Sequence, residues 1–201
     1  MKVPHNKLEI ARKNPSAFKN QEGIGAGFFK VGQYRYWQFA TRHYHDFGRE
    51  AAFNYLEKSF EEKFTNNSRN RKKLEEFQYN LDSYIRDFEE LENSVIRRGT
   101  NISMDLGHSN TLTGEIARED MKLDGRFEIF LFLKEDIDWE NELRFPLFQA
   151  HYAKSFGVEY SQISVGVYCL QYNQHSSKIY SDYDIQLALK EISNISNKIR
   201  S

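Results

Sequence analysis

Residues 112–136 read LTGEIAREDMKLDGRFEIFLFLKED, and the fold turns on how this stretch is read. At its centre Asp124-Gly125 is the strongest hairpin signal in the chain, since a tight two-residue turn needs backbone that glycine adopts freely. On the C-terminal side, IFLFL is apolar at consecutive positions rather than at alternate ones. A strand with that pattern must be covered on both faces, so residues 126–134 are expected to form the central strand of a sheet with a layer above and a layer below. On the N-terminal side, TGEIARED reads as a second strand, and VIRRGTNISMDLG (95–107) as a third before it.

Beyond this core, residues 140–156 predict a helix with Pro146 near its first turn, Gly157 at its end and a stripe of Leu143, Leu147, Ala150 and Lys154. ISVGVYCLQY (163–172) predicts a further strand, 173–177 a polar loop, and 184–199 an amphipathic helix using Ile185, Leu187, Leu189 and Ile192. Towards the N-terminus, KLEIARKNPSAF (7–18) predicts a short helix stopped at Asn14-Pro15, because the residue before proline is pushed out of the α region. GIGAGFFKVG (23–32) predicts a bend; no Lys-Ser/Thr follows Gly23, Gly25 and Gly27, so it is not a Walker loop.

Residues 33–64 carry apolar side chains at helical spacing (Ala40, Tyr44, Phe53, Leu56, Phe60, Phe64), as one long helix or two joined near Gly48. Polar Thr65-Asn66-Asn67-Ser68 breaks the run, and Leu74, Phe77, Leu81, Tyr84, Phe88 and Leu91 form a second amphipathic face, expected to pair antiparallel with the first. The chain therefore divides into an N-terminal helical lobe, 1–92, packed on an α/β core, 93–201.

Composition narrows the classes. Of 201 residues, 39% are hydrophobic and 15% aromatic, too many for a disordered chain. No apolar run approaches the roughly 20 residues a membrane span needs, and the first residues contain no apolar leader. The single cysteine, Cys169, makes neither an internal disulfide nor a thiolate zinc site, so a cytoplasmic protein with no membrane partner is expected. The net charge of −1 conceals an asymmetry: through Lys73 there are 15 basic and 7 acidic residues, beyond it 13 and 22. Such polarity fits either a nucleic-acid surface on the first part or attraction between the two parts within the fold.

The order of elements, αβββαβ behind a helical lobe, is similar to the core of the PD-(D/E)XK nuclease superfamily, and in particular to RecB-like exonuclease domains. TGEIARED resembles that family's second strand, GRFEIFLFLKED its third, ELRFPLFQAHYA its following helix and SVGVYCLQ its fourth strand. The resemblance implies a restriction-endonuclease-like α/β fold with a mixed sheet, and a site where two acids on adjacent strands hold Mg²⁺ while a lysine activates water. In this chain Ala117 and Phe132 stand where those acids are expected, and only Lys134 remains. The implication is a metal-free, non-catalytic nuclease fold that binds DNA or RNA, or a partner protein subunit, in a prokaryotic DNA-processing or phage-defence assembly. Two alternatives accompany it: an active Mg²⁺-dependent nuclease with acids relocated to Glu115 and Glu128 beside Lys134, or a purely structural interaction subunit. No cofactor is expected unless the site is active, in which case it is Mg²⁺.

Basic and aromatic residues interleave through Lys30, Tyr34, Arg35, Tyr36, Trp37, Arg42 and His43, followed by Arg69, Arg71, Lys72 and Lys73. Cations neutralise phosphates and rings stack on bases, so Arg35, Arg42, Arg69, Arg71, Lys72, Lys73 and, beside the remnant site, Arg118 are the candidate nucleic-acid contacts. Arg97 and Arg98 are further phosphate candidates. His43 and His45, two apart on a helix, point different ways and favour aromatic packing over metal. Cys169 reads as a small buried hydrophobe, and His108, after a loop glycine, as a lone candidate.

Overall fold

The computed structural model describes residues 1–15, 18, 32–135 and 138–200. Its mixed sheet has six strands: β1 (Lys2–Pro4), β2 (Ser94–Gly107), β3 (Asn110–Met121), β4 (Phe127–Leu133), β5 (Ile163–Cys169) and β6 (Gln174–Lys178). β3 is the hub. β2 runs antiparallel along one edge of it for almost its whole length. The other edge is shared: β1 pairs parallel with Thr111, Leu112 and Thr113, and β4 pairs antiparallel from Arg118↔Phe130 to Met121↔Phe127. β4 continues parallel to β5, and β5 antiparallel to β6.

The hairpin turns where the sequence predicts, but over the three residues Leu123, Asp124 and Gly125 rather than the two of a tight Asp124-Gly125 turn. Gly125 has φ 82°, its N–H donates to Lys122 O at 2.9 Å, and Lys122 N–H donates to Arg126 O at 2.8 Å. The strand that follows is indeed central, and its apolar residues divide between two cores as its composition requires. Ile129, Leu131 and Leu133 face α1 (Leu8–Lys13), α5 (Arg144–Phe156) and α6 (Asp182–Arg200), where Leu8, Phe145, Phe148, Ile185 and Ile192 pack against them. Phe130 and Phe132 face the other way, into a core built by α2 (Gln33–Phe47), α3 (Arg49–Lys63) and α4 (Ser68–Leu91), with Trp37, Leu56, Phe77, Leu81 and Tyr84. The result is a sheet between two helical layers.

Local chemistry sets the helix boundaries. The run 33–64 breaks at Gly48, giving two helices. Asn67 caps α4, its side chain accepting from Asn70 N–H at 2.9 Å. Before α6, Ser181 and Asp184 bond reciprocally: Ser181 N–H donates to Asp184 Oδ2 at 3.1 Å and Asp184 N–H to Ser181 Oγ at 3.2 Å.

The structure departs from the sequence reading in four places. Residues 173–177, expected as a loop, lie largely in strand β6; it is a polar edge strand whose His175 and Ser177 serve a buried carboxylate, so apolar alternation gave no sign of it. β1, three residues long, carries no period to detect. Helix α5 starts at Arg144 rather than near 140, because Trp139–Asn141 form a 3₁₀ turn and Leu143 N–H is held by Glu9 Oε1 at 2.8 Å. β5 stops at Cys169 rather than continuing to 172.

Alternation also slips once in β3. Ile116 packs in the core beneath α5, yet Arg118, two residues later, lies against Phe88 and Phe130 on the opposite face. Gly99 of β2, with φ 60°, stands across from Ala117 at this slip, between the pairs Arg98↔Arg118 and Thr100↔Ile116.

Candidate functional site

Beyond the Arg118↔Phe130 pair, β3 and β4 diverge, and β1 does not begin to pair until Thr113. Residues 114–117 are therefore without a strand partner on that edge, and a cleft of about 450 Å³ opens there. Ala117 and Glu115 form one wall and Phe132 and Lys134 the other, while Arg35, Gln38 and Arg42 of α2 lie over it. His5 and Asn6, in the turn after β1, and Arg144, at the start of α5, complete it.

The cleft is held open by fixed packing. His5 fits over Gly114, where an added Cβ would fall 2.2 Å from the imidazole Cδ2, so any larger residue at 114 would expel the ring. Arg144 Nη1 donates to His5 Nδ1 at 3.0 Å, and its Nε lies 2.6 Å from Glu142 Oε2. Burial, and then the nearby Arg144 charge, lower the His5 pKa to about 4, so the ring is neutral at pH 7 and carries its proton on Nε2. Gly99 makes room for Arg42: a Cβ there would lie 2.9 Å from the guanidinium carbon, and φ 60° suits glycine.

Charge in the cleft is predominantly positive. Arg35, Arg42 and Lys134 line it against one carboxylate, Glu115, while Arg144 is buried with its charge met by Glu142. Arg35 Nη2 meets Glu115 Oε2 at 2.7 Å, and Arg42 Nη2 takes the other oxygen, Oε1. Both guanidiniums also lie over Phe39, with Arg35 at 4.8 Å and Arg42 at 5.5 Å from the ring centroid. Burial, and then the charge of Arg35, hold the Arg42 pKa below the ordinary guanidinium value. Lys134 is exposed and, among the described residues, pairs with the exposed Glu135 at 3.1 Å.

The candidate residues thus separate into four groups. Glu115 and Lys134 share the cleft with Arg35 and Arg42. Glu128 does not join them, which corrects the expectation that Glu115 and Glu128 converge on one metal. It pairs across the sheet with Asp120, five residues from Glu115, or about 17 Å along a strand. Its carboxylate is fully buried, bonded to Ser164 (3.1 Å), Ser177 (2.6 Å), His175 (3.2 Å) and Lys122 (3.2 Å). Among the described residues no group of three His, Cys, Asp or Glu side chains is gathered as a metal site would require.

Arg118 also requires correction, because it is 2% exposed and not available to a ligand. Its Nε donates to both Asp120 oxygens at 2.7 Å, Nη1 bonds Tyr84 Oη, and the guanidinium lies 4.1 Å from the Phe130 centroid. Trp37 is likewise core, fully buried between Tyr84 and Phe132, and offers no stacking surface. Arg97 is tied to Glu119 at 2.8 Å and Arg98 to Asp46 at 2.7 Å.

Arg69, Arg71 and Lys72 form an exposed group in the first turns of α4, while Lys73 pairs with Glu76 and lies over Phe77. His43 stacks on Tyr55 at 4.0 Å, in the expected aromatic role. His45 is held by Tyr84 at 2.6 Å, and burial with the charges of Arg118 and Arg98 lowers its pKa to about 2. Cys169 is half-buried, and His108 sits with φ 53° in the β2–β3 turn. The glycines at 23, 25 and 27 and Lys30 lie outside the described residues.

Sequence reasoning missed His5, Asn6, Gln38 and Arg144. No spacing announces them, since they come from three separate segments that meet only when β1 docks beside β3. No protein-family model and no curated protein sequence matches the chain.

Proposed function

We propose that this protein binds nucleic acid through its phosphate backbone, in the cleft between α2 and the diverging strands β3 and β4, without hydrolysing it. One observation carries the reading: Arg35, Arg42 and the exposed Lys134 line the cleft against a single carboxylate, Glu115; the resemblance to RecB-like domains adds that Ala117 and Phe132 of its strand walls stand where that family's metal-binding acids are expected. Alanine and phenylalanine have no ligand atoms for Mg²⁺, whereas arginine and lysine neutralise phosphate and release counterions. The exposed Arg69, Arg71 and Lys72 supply a second basic surface on the same helical lobe. The resemblance to RecB-like domains adds the setting, a prokaryotic DNA-processing or phage-defence assembly in which such a chain works beside a partner subunit.

Fluorescence anisotropy with labelled single- and double-stranded DNA and RNA between 50 and 300 mM salt tests the proposal. Three phosphate contacts give log K falling with log salt at a slope of about −3, with no cleavage in Mg²⁺ or Mn²⁺. Absence of salt-dependent binding overturns the reading, and so does metal-dependent cleavage.

A further inference from the structure

We infer that Arg35 and Arg42 form a phosphodiester subsite which Glu115 fills in the free protein, so that a bound phosphate must displace a carboxylate of the protein itself. The inference rests on the nucleic-acid reading above and names the position in the cleft where one backbone phosphate sits.

The geometry is that of an occupied anion site. Arg35 and Arg42, seven residues apart on α2, both lean on Phe39 and direct one guanidinium to each oxygen of the same carboxylate. A phosphodiester presents the same pattern, two outward oxygens sharing one negative charge, and arginine binds either group. Two cations against one anion leave surplus positive charge, to which Lys134 adds. The Nε of Arg42 is buried with no hydrogen-bond partner among the described residues, so the carboxylate leaves one donor of that fork unused. A phosphodiester, whose tetrahedral phosphorus sets its oxygens out of the single plane a carboxylate is confined to, can reach that donor.

Glu115 also has somewhere to go. With His5 and Asn6, it lines both the cleft and a second recess of about 560 Å³ that also takes in Lys2, Asn101, Ser103 and Thr113. Asn101 lies directly across from it on β2. The Glu115 side chain is 23% exposed, so the ion pairs are partly solvated and each is worth on the order of the small amounts typical of surface pairs. A carboxylate so placed can leave the arginines for the second recess, with Lys2 and Asn101 near its new position. The site is thus protected by an internal competitor that lowers affinity for weak anions and yields to a polyanion held at several points.

The test uses the full chain with two probes, a labelled single-stranded oligonucleotide and inorganic phosphate, the latter followed by the arginine Nε–H resonances in ¹⁵N spectra. Glu115→Gln keeps the side-chain shape and removes the competing charge. It is expected to tighten oligonucleotide binding about tenfold at 0.1 M salt, and adding Arg35→Ala with Arg42→Ala is expected to abolish the gain. Phosphate is expected to shift the Arg35 and Arg42 resonances at lower concentration in Glu115→Gln than in the wild type. Unchanged or weaker oligonucleotide binding by folded Glu115→Gln overturns the inference while leaving wild-type nucleic-acid binding intact. Phosphate shifts without any oligonucleotide binding uphold the subsite and remove the nucleic-acid reading instead. Should Glu115→Gln fail to fold, Glu115→Asp, too short to span both arginines, is expected to tighten binding several-fold; no change in it counts against the inference.

Discussion

Ser177, on the edge strand β6, donates a 2.6 Å hydrogen bond to Glu128 in the interior of the sheet. This links an exposed polar strand to a fully buried carboxylate. Burial opposes ionisation of Glu128, but the bonds from His175 and Ser177 and the charge of Lys122 prevail and bring its pKa to about 2. A folded-state pKa below the unfolded value means stability that is complete above about pH 4.5 and lost as pH falls toward 2, amounting to about 3 kcal/mol. Glu128→Gln should flatten that acid limb in urea titrations between pH 5 and 3, and should lower stability at pH 7.

His5 and His45 act at higher pH. Their pKa values are lowered to about 4 and about 2, so folding requires both neutral, and the unfolded chain takes up protons first as pH falls below 6.5. Each should cost about 2 kcal/mol of stability by pH 5, before any carboxylate matters. The thermal midpoint should therefore drop between pH 7.5 and 5, and His45→Gln should reduce the drop. A midpoint independent of pH in that interval would contradict the buried placement of both rings.

Arg118 and Lys134, both read from sequence as phosphate or catalytic groups, should behave in opposite ways. Arg118→Ala leaves Asp120, itself fully buried, without its partner and should cost about 3–5 kcal/mol. It should not change the nucleic-acid affinity of the molecules that remain folded. Lys134→Ala should leave stability within about 0.5 kcal/mol and reduce the salt slope of binding by about 1.

Gly114→Ala tests the wall of the cleft. The new methyl occupies the space of the His5 ring, so the turn after β1 must move and Arg144 loses the Nδ1 acceptor. A loss of about 1–3 kcal/mol is expected from overpacking, with weaker nucleic-acid binding. Wild-type stability and affinity would show that His5 is not seated on Gly114.

The sheet was legible because its signals are local. IFLFL can be satisfied only between two apolar layers, and Asp124-Gly125 fixes the turn that feeds it. β6 escaped because Gln174, His175, Ser176, Ser177 and Lys178 carry no apolar side chain; the strand is held by its ladder to β5 and by the demand of Glu128 for donors. The site was half legible. Arg35, Arg42, Glu115 and Lys134 were singled out by charge type and strand position, and the fold brings them together. Glu128 and Arg118 were misread because even spacing along a strand says which face a residue takes, not how far along the sheet it lies, and because β3 changes phase near Ala117. The opposite charges of the two halves partly cancel in ion pairs such as Arg12–Glu191 and Arg35–Glu115, yet Arg69, Arg71 and Lys72 remain exposed.

The parallel pairing of β1 with β3 joins Lys2 to Thr111 and Pro4 to Thr113, contacts separated by more than half the chain. Closing so long a loop for three residues of ladder is entropically costly early in folding and becomes favourable only once β3 is already fixed by β2 and β4. The order of assembly follows: hairpins first, the first strand last. His5 and Asn6, which follow β1 directly, therefore reach the cleft in the final step, and the cleft gains this part of its lining only in chains that have finished folding. Pulse-labelled hydrogen exchange during refolding should find the Val3 amide among the last to be protected.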